Sequence, residues 1–418
     1  MSVARRRIAV IGAGISGLAA AYYLSRQHEV SVFERDSRLG GHTHTHIVNS
    51  SRGPLAVDSG FIVHNEKTYP HFCRLMAELG VETQASDMSF SVTSLNEDFE
   101  YSSHGLSGYF AQRGNLLRPA HYALLSEILR FNRESLHILR VPETVGEISI
   151  GEFLRRGRYR EAFRDRYLYP MASAVWSMAP EEMNGFPALA LLRFFENHGM
   201  LGINTHPKWR TIRGGSYSYI APLTAPYGQR IRMGVEIRSI QRGPECVRLE
   251  FAGGAPQEFD DVVFACHGDQ VLPMLADASE LEREILGAFR FTENRAVLHT
   301  DERLLPRRMA ARASWNYLLR GREQVSLTYD MNRLQSLGVA ENYCVTLNSG
   351  SIIRGDRVLK EMTYHHPLMN AAAVAAQGRW GDISGVGRTH YCGAYWFYGF
   401  HEDGVRSALR VAEALGVR

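Results

Sequence analysis

Six consecutive residues near the amino terminus have the type and spacing to bind phosphate. They form a Gly-x-Gly-x-x-Gly motif, Gly12-Ala13-Gly14-Ile15-Ser16-Gly17, and an acid, Glu34, follows 22 residues after the first glycine. Gly12 permits a sharp turn, Gly14 leaves room for a pyrophosphate, and Gly17 lets a helix pack closely on a sheet. Glu34 can accept hydrogen bonds from both ribose hydroxyls of an adenosine and would repel a 2′-phosphate. The motif therefore predicts binding of FAD or NAD rather than NADP.

These residues need a strand before them and a helix after them. The apolar run Arg7–Ile11 is typical of a buried parallel strand, and Leu18–Ser25 is rich in Ala and Leu, as in a helix. A second strand, Glu29–Phe33, ends just before the acid. The helix would begin near Ile15 and Ser16, where free N–H groups and the positive dipole end favour phosphate. A complete βαβ unit makes the glycine motif a strong signal.

The segment after Glu34 decides between the two dinucleotides. Arg35-Asp36-Ser37-Arg38-Leu39-Gly40-Gly41-His42-Thr43 resembles the E-R-x-x-R-x-G-G-(R/H) extension of the flavin-containing amine oxidase and phytoene desaturase superfamily. The resemblance implies non-covalent FAD, with Arg35, Gly40, Gly41 and His42 near its pyrophosphate. The family usually has Arg where this chain has His42, and Arg38 is a further basic candidate.

Further blocks resemble the family pattern in the family's order. They are Asp58-Ser59-Gly60 (D-x-G), Trp209–Ser216 (W-x-x-x-x-G-G), Ile231–Ile237 (the adenine segment) and Asp261–Cys266 (D-x-V-V-x-A). The resemblance assigns cofactor contacts in these blocks to Asp58, Gly60, Phe61, Gly214, Gly215, Ser216, Val235 and Ala265.

A last block, Tyr391–Val405, resembles the family's carboxyl-terminal flavin motif. The resemblance implies a strand ending near Gly393 and a helix over Val405–Leu415 whose amino end points at the flavin. It assigns cofactor contacts to Gly393, Ala394, Gly404 and Val405, although the family usually has Asp where Ala394 stands. The variants around His42 and His401 are similar to a bacterial branch often encoded beside cyclopropane-fatty-acid-synthase-like methyltransferases.

The same block contains the candidate catalytic residues, Tyr398, Phe400 and His401. Phe400 matches the family's flavin-facing aromatic, and the adjacent His401 has an intrinsic pKa suited to proton transfer. The alternative for His401 is a hydrogen bond that caps the last helix or holds the backbone. Glu402 and Asp403 stand at the predicted helix start, where carboxylates favour the dipole and can cap.

Two substrate classes compete for the predicted flavin. Amine oxidases of the family carry a Lys that would fall near Asn294-Arg295-Ala296, where this chain has none. The run Tyr395–Tyr398 either lines an apolar channel or packs between lobes, and Trp176 and Met178 are either cavity wall or core. We expect hydride removal from an apolar substrate, most simply desaturation of a fatty acyl chain, methyl-branched chains included, on a phospholipid. The alternatives are a flavin amine oxidase, a non-redox flavin-dependent isomerase and a non-catalytic FAD-binding protein.

The composition of the chain limits the classes of partner that we expect it to bind. The 418 residues are 45% hydrophobic and 22% charged with net charge +3, which is ordinary for a globular protein and gives no nucleic-acid footprint. The five cysteines form no CxxC pair, so we expect the protein to be located in the reducing cytoplasm. We expect no metal site, because His42, His44 and His46 follow the double glycine, where the pyrophosphate should lie.

Two features bear on membranes. No apolar run reaches about 18 residues, so we expect no spanning segment. Arginines cluster between Arg113 and Arg166, either as a solvated helical face or as a surface that meets anionic lipid from the inner side of the membrane. The sequence leaves the oligomeric state and the electron acceptor open.

The predicted fold class is α/β, with a Rossmann-type FAD-binding domain and a mixed α+β substrate domain in an amine-oxidase-like two-lobe architecture. The FAD-binding domain is assigned residues 1–70, 205–285 and 380–418. The substrate domain takes 71–204, a helical insert, and 286–379, an antiparallel sheet. Segments such as Val325–Tyr329 and Tyr343–Leu347 alternate as strands do, and His121–Arg140 has the periodicity of an amphipathic helix.

Overall fold

The computed structural model describes residues 4–94, 97–144, 146, 148–176, 180–202, 207–319 and 325–417, and the side chains of 174–176, 180, 181 and 325 lie outside that description. The predicted wall residues Trp176, by its side chain, and Met178 therefore lie outside the described residues.

The strands of the described residues are short and belong to separate sheets. In chain order they are β1 (Arg7–Ile11), β2 (Glu29–Phe33), β3 (Thr45–Ser50), β4 (Gly53–Asp58), β5 (Val63–His64), β6 (Thr83–Ala85), β7 (Phe90–Ser94), β8 (Phe99–Ser102), β9 (Arg210–Ile212), β10 (Ile231–Arg232), β11 (Ile237–Arg242), β12 (Val247–Phe251), β13 (Gln257–Phe259), β14 (Asp261–Phe264), β15 (Phe291–His299), β16 (Trp315–Leu319), β17 (Val325–Asp330), β18 (Cys344–Leu347), β19 (Val358–Pro367) and β20 (Thr389–Tyr391).

The helices concentrate in the first half of the chain. In chain order they are α1 (Ile15–Leu24), α2 (Pro70–Glu78), α3 (Gly105–Tyr109), α4 (Pro119–Ile138), α5 (Ile150–Arg156), α6 (Glu161–Phe163), α7 (Tyr169–Trp176), α8 (Pro180–Met183), α9 (Ala188–Asn197), α10 (Ile220–Thr224), α11 (Gly268–Val271), α12 (Glu280–Gly287), α13 (Met331–Leu334), α14 (Ala371–Gln377), α15 (Trp380–Ile383) and α16 (His401–Ala414).

A five-stranded parallel sheet forms the base of the nucleotide-binding half. Its order is β10-β2-β1-β14-β20, and every neighbouring pair runs parallel. The strands of this sheet come from three separated stretches of chain. The first stretch contains β1 and β2, the second contains β10 and β14, and the third contains β20. The predicted βαβ unit is confirmed, with both strand ranges as expected. The domain boundaries proposed from the sequence stay a prediction.

The helix α1 packs on this sheet, and α16 packs in turn on α1. α1 is buried along almost its whole length, as its Ala-rich sequence predicts, and it packs against α16. α16 begins at His401, four residues before the predicted start at Val405. Its first turn carries Glu402 and Asp403, which stabilise the positive end of the helix dipole and so extend the helix.

A seven-stranded sheet forms the second layer, in the order β19-β15-β18-β17-β16-β7-β8. The predicted strands around Val325–Tyr329 and Tyr343–Leu347 are confirmed as β17 and β18. Within residues 286–379 the pairings among β15–β19 are antiparallel, as predicted, and β16 also pairs with β7 in parallel. The insert predicted to be helical also contributes two strands, β7 and β8. In β7 the apolar Phe90 and Val92 alternate with the polar Ser91 and Thr93, as is typical of a strand.

The helical lobe has its own apolar core, with Leu124 and Phe131 of α4 and Leu191 and Phe195 of α9 among its buried members. Phe400 packs against both this core and the core of the nucleotide-binding half. The seam between the two cores therefore passes through Phe400.

Within the described residues, no helix is both long enough and apolar enough to cross a membrane.

Candidate functional site

The first glycine turn has the geometry that the motif predicts. The Gly12 N–H donates to the Phe33 carbonyl at 2.8 Å, and its positive φ of 102° bends the chain out of β1. A Cβ on Gly17 would lie 2.0 Å from the Gly12 carbonyl oxygen, so the start of α1 lies directly on the turn. A Cβ on Gly14 would meet nothing within 4 Å. Gly14 therefore faces open space in front of the helix terminus.

Glu34 is fixed by backbone donors on both oxygens. The Ala13 N–H donates to Oε2 at 2.6 Å, and the Asp36 N–H donates to Oε1 at 2.8 Å. The Val235 N–H donates to the Glu34 carbonyl at 2.9 Å, which brings the predicted adenine segment beside the acid. Each carboxylate oxygen keeps lone-pair capacity for a further donor such as a ribose hydroxyl.

The double glycine lies against the first turn. The Gly40 N–H donates to the Ala13 carbonyl at 2.8 Å, and a Cβ on Gly41 would lie 3.2 Å from the Gly14 Cα. The Arg38 guanidinium donates to the carbonyls of Gly41, at 2.6 Å, and Thr43, at 3.2 Å. Arg38 therefore folds this loop, whereas Arg35 is exposed.

The Asp58 side chain binds the third glycine turn, Gly214-Gly215-Ser216. Its buried carboxylate accepts from the Ser216 N–H at 2.9 Å, the Ser216 hydroxyl at 2.9 Å, Thr45 Oγ1 at 2.5 Å and Gln335 Nε2 at 2.9 Å. Burial raises the pKa of Asp58 to about 6 even though these donors oppose the shift. Asp58 is thus a positioning group for Gly214-Gly215-Ser216, and Thr45 and Gln335 are partners that the sequence did not reveal.

The adjacent D-x-G residues pack on the double-glycine loop. A Cβ on Gly60 would lie 2.1 Å from the His42 carbonyl oxygen, which also accepts from the Phe61 N–H at 2.8 Å. Ala265 follows β14, and its methyl group faces Gly17. These residues support the turns around Gly14.

The amino ends of α1 and α16 meet at Gly404. A Cβ there would lie 2.7 Å from Ile15 Cγ2 and 2.9 Å from Ser16 Oγ, so glycine is needed for this approach. The Gly393 N–H donates to Ser407 Oγ at 2.8 Å, which ties the turn through Ala394 to α16. Val405 is buried in the core. Two positive helix termini thus point to one region beside the glycine turns.

His401 lies in a buried hydrogen-bond network. Its Nε2 is 3.0 Å from Thr43 Oγ1 and 3.3 Å from the Tyr219 hydroxyl, and its ring stacks on Phe61 with centroids 3.7 Å apart. Burial lowers the pKa of His401 to about 3. The ring is therefore neutral at physiological pH and joins α16 to the residues after the double glycine. Its catalytic role stays a prediction, and the geometry favours the positioning alternative.

Glu402 and Asp403 cap helices. Glu402 accepts from the His71 and Phe72 N–H groups, at 3.1 and 2.9 Å, at the start of α2. Asp403 accepts from the Phe400 N–H at 2.9 Å at the start of α16, and burial raises its pKa to about 7. Both carboxylates therefore bind backbone donors at helix termini.

Tyr398 and Phe400 line a cleft of about 320 Å³ at the seam between the two cores, together with charged residues such as Lys67, Glu402 and Arg406, and His401 is not part of its lining. The Phe400 ring stacks on Phe194 of α9 with centroids 5.3 Å apart, and Phe194 meets Tyr398 edge-on at 6.0 Å. Burial raises the pKa of Tyr398. The structure therefore brings together two of the three predicted catalytic residues.

The first two residues of the aromatic run Tyr395–Tyr398 belong to the hydrophobic core. Tyr395 and Trp396 are buried and pack edge-on against Phe289, with centroid distances of 4.7 and 4.8 Å. Packing, the alternative to a channel wall, thus accounts for both residues.

Sequence reasoning missed a group of polar side chains beside the double glycine. The His42 ring lies 5.1 Å from Tyr364 and 5.2 Å from His366 of β19, and His366 Nδ1 lies 3.0 Å from Asn294 Nδ2 of β15. Burial lowers the pKa of His366 to about 4. The signal was present as strand alternation, because Met362, Tyr364 and His366 share one face of β19.

The residues present fit an FAD. Gly14 opens into free space between two helix amino termini, as a pyrophosphate requires. His42 Nε2 is buried and has no hydrogen-bond partner among the described residues, so it is available to a polar group in the same region.

His44 and His46 already have partners in the protein. His44 Nδ1 is 3.0 Å from the Tyr364 hydroxyl, and His46 Nε2 is 2.7 Å from Ser59 Oγ. Among the described residues, no group of three or more His, Cys, Asp or Glu side chains is arranged to hold a metal ion.

Comparison with known proteins agrees with this geometry. A family model for flavin-containing amine oxidoreductases matches residues 15–360. A flavin-dependent L-tryptophan oxidase of Lentzea aerocolonigenes is 25% identical over 271 residues, which is 64% of this chain and 51% of that protein. The chain spans about half the length of the curated relatives it matches.

Solved structures share the fold. Putrescine oxidase bound to putrescine superposes with a TM-score of 0.72 at 13% identity, over 99% of this chain and 100% of that one. A fatty acid isomerase from P. acnes that produces CLA gives a TM-score of 0.63 at 15% identity, over 98% of both chains. At these identities the likeness shows the α/β two-lobe architecture alone, which confirms the predicted fold class.

Proposed function

The chain belongs to the flavin-containing amine oxidoreductase family, with FAD as its cofactor, and from that premise we propose that it is an FAD-dependent oxidoreductase of an apolar acyl chain. FAD, when bound, accepts a hydride equivalent and so supplies the redox chemistry. The glycine turns at Gly12–Gly17, Gly40-Gly41 and Gly214-Gly215 would hold its diphosphate, and Glu34 its ribose. The residues at the seam would then select the substrate.

The observation that carries the acyl proposal is the group of aromatic rings around Phe400. Glu402 and Asp403 both accept hydrogen bonds from backbone N–H groups, and burial raises the pKa of Asp403 to about 7. Both carboxylates thus hold helix termini beside the Phe400 ring. The Phe400 ring stacks on Phe194 with centroids 5.3 Å apart and lies 5.8 Å from the His198 ring, an aromatic surface against which a hydrocarbon chain can pack.

The polar residues near the double glycine support the same proposal. Asn294 lies on β15 where amine oxidases of the family carry a Lys, and it bonds His366 and Asn348 instead of standing free. Burial keeps His366 and His401 neutral, since it lowers their pKa values to about 4 and about 3. Neutral rings around the reaction region suit an uncharged substrate.

The proposed reaction converts a carbon–carbon single bond of the acyl chain into a double bond. One carbon would give up a hydride equivalent, which bound FAD would accept, and the adjacent carbon would give up a proton to water or a basic group. Dioxygen or a quinone then removes the two electrons. A C–H bond next to an existing double bond or branch is the weakest in such a chain, so unsaturated or methyl-branched acyl groups of phospholipids are the preferred class.

Two other functions have specific support. Relatives and structural neighbours include oxidases of L-tryptophan and of putrescine, which favours amine oxidation. The fold shared with a fatty acid isomerase favours acyl isomerisation without net electron transfer. A non-catalytic FAD-binding protein is the remaining alternative.

The test is anaerobic bleaching of the flavin's visible absorption. The purified protein is offered detergent-dispersed phospholipids with saturated, monounsaturated or methyl-branched chains, and separately a panel of mono- and polyamines and amino acids. Bleaching by branched or unsaturated lipid, with a new double bond found by mass spectrometry, is the expected result. Bleaching by amines alone would overturn the acyl proposal. Lipid conversion without change of mass would identify an isomerase. If no donor bleaches the flavin and no lipid is converted, the protein would be a non-catalytic FAD-binding protein.

A further inference from the structure

One side of the helical lobe exposes large apolar side chains. They are Leu106 on α3, Leu116 and Leu117 in the 3-10 turn Arg113–Leu117, and Tyr122, Leu129 and Leu136 on α4. Leu117 is 89% exposed and Leu106 is 71% exposed. Leucines in this state cost free energy in water unless something covers them.

The three residues on α4 form one stripe. Tyr122, Leu129 and Leu136 are spaced seven residues apart, about two helical turns, so they lie above one another along the helix. The opposite face buries Leu124 and Phe131 in the lobe. Burial in the lobe thus accounts for one face of α4 and leaves the stripe unexplained.

The turn and α3 continue the stripe past the amino end of α4. The Tyr122 hydroxyl donates to the Leu116 carbonyl at 3.0 Å, and the Tyr109 hydroxyl donates to the His121 carbonyl at 2.8 Å. His121 Nε2 is 2.9 Å from the Tyr109 carbonyl. These bonds hold α3, the turn and the first residues of α4 together as one surface.

Arginines without a counterion lie along this surface. Arg113 and Arg118 flank the exposed leucines of the turn, and Arg133 lies on α4 between Leu129 and Leu136. Within the described part of the chain no carboxylate pairs with these three, whereas Arg130 on the same helix pairs with Glu127 and Glu134. The surface therefore combines apolar side chains with unneutralised positive charge.

We propose that this surface, the leucine–arginine face, binds an anionic phospholipid bilayer at its headgroup level. The leucines would enter the boundary between headgroups and acyl chains while the arginines contact phosphates, as in amphipathic helices that lie on membranes. A second copy of this chain would set arginines against arginines, so the charge favours lipid over self-association.

This proposal rests on the proposed function, because docking would bring the acyl chains of the bilayer to the helical lobe, whose apolar core reaches the seam at Phe400. α4 packs through Phe131 into the same apolar core that meets Phe400 through Phe194. Binding itself needs no turnover, so the two proposals fail separately.

The experiment is co-sedimentation of the full-length, FAD-loaded protein with vesicles of neutral phosphatidylcholine, with or without about one third phosphatidylglycerol. We expect binding to the anionic vesicles that weakens as salt rises, because screening shortens the reach of the arginines. Arg113→Gln and Arg133→Gln should each weaken binding about fivefold. Leu117→Ser should weaken it about tenfold.

Matched controls come from exposed residues elsewhere. Arg238→Gln on β11 and Leu359→Ser on β19 remove the same groups from other surfaces and should leave vesicle binding unchanged. Thermal melting of every variant checks folding, which substitutions at exposed positions should preserve.

Absence of vesicle binding by the parent protein would overturn the proposal, and so would equal losses in the control variants. A change of sedimentation coefficient in Leu117→Ser without a change in vesicle binding would assign the face to a second copy instead. Vesicle binding combined with no bleaching by dispersed lipid would keep the membrane surface and reject acyl oxidation. The reverse pair of results would keep acyl oxidation and reject the surface.

Discussion

The nucleotide-binding half and the seam are held together by different kinds of contact. In the first, backbone meets backbone: a Cβ on Gly17 would lie 2.0 Å from the Gly12 carbonyl oxygen, and one on Gly404 would lie 2.7 Å from Ile15. At the seam, rings meet rings, as Phe400 does with Phe194 at 5.3 Å. Backbone contacts admit no side chain, while ring contacts can repack. The cofactor half should therefore resist change, and the seam should be the part that varies with substrate.

The largest expected effect comes from placing a methyl group in the tightest backbone contact. Gly17→Ala would drive a Cβ into the Gly12 carbonyl, so α1 must move off the sheet. We expect a loss of about 3 kcal/mol in the free energy of unfolding, the upper range for overpacking. Denaturant unfolding monitored by circular dichroism measures it.

The matched control for that substitution is Gly253→Ala, because a Cβ there would meet nothing within 4 Å. It should change stability by less than about 0.5 kcal/mol. If Gly17→Ala proved equally mild, the helix could shift cheaply and the contrast between the two regions would be false.

A second prediction concerns protons in the cofactor half. Burial lowers the pKa of His401 from 6.5 to about 3, so the folded protein keeps a neutral ring that the unfolded chain would protonate. This contribution to stability is fully present above pH 6.5 and is lost as the pH falls toward 3. Between pH 7 and pH 5 it should cost about 2 kcal/mol. His401→Gln should remove that share of the pH dependence.

The measurement is the difference in unfolding free energy between pH 7 and pH 5, rather than its level at either pH. His137→Gln on the exposed side of α4 is the control and should keep the parent slope. An unchanged slope in His401→Gln would mean that the ring is protonated in the folded state, which would return it to the acid–base candidates.

The sequence predicts the cofactor half well because its signals are local. Gly12, Gly14 and Gly17 act within one turn, and the apolar runs of β1 and β2 mark buried parallel strands by themselves. The start of α16 was missed by one turn, since Glu402 and Asp403 extend the helix only when their partners are in place.

The rest depends on contacts between distant segments, which a single sequence does not display. The resemblance assigns Asp58 to the cofactor, which stays a prediction, and it does not reveal that Asp58 bonds Ser216, 158 residues away, and Gln335, 277 residues away. His366 joins His42 across the sheet and could be found only from the alternation of β19. The pairing of β7 with β16 likewise joins an insert to a later strand.

A third prediction separates cofactor binding from folding. Gly14→Ala adds a Cβ where the protein has open space, and the φ of −75° suits alanine. The apoprotein should therefore melt as the parent does, while the methyl group occupies the position proposed for the pyrophosphate. We expect FAD affinity to fall about tenfold, or about 1.4 kcal/mol, in a fluorescence titration. Unchanged affinity would place the diphosphate elsewhere.

The smallest expected effect is at the seam, and it tests whether that region does chemistry or packing. Burial raises the pKa of Tyr398, so its phenol stays protonated at neutral pH and is a poor base. If Tyr398 is only a wall of the cleft, Tyr398→Phe should change kcat by less than about threefold with the donor that bleaches the flavin, because the ring and its contact with Phe194 remain. Loss of general acid–base catalysis would instead lower kcat by about 100-fold or more. A loss of that size, with FAD affinity unchanged, would make the seam a place of proton transfer and would confirm Tyr398 as the catalytic residue that the sequence suggested.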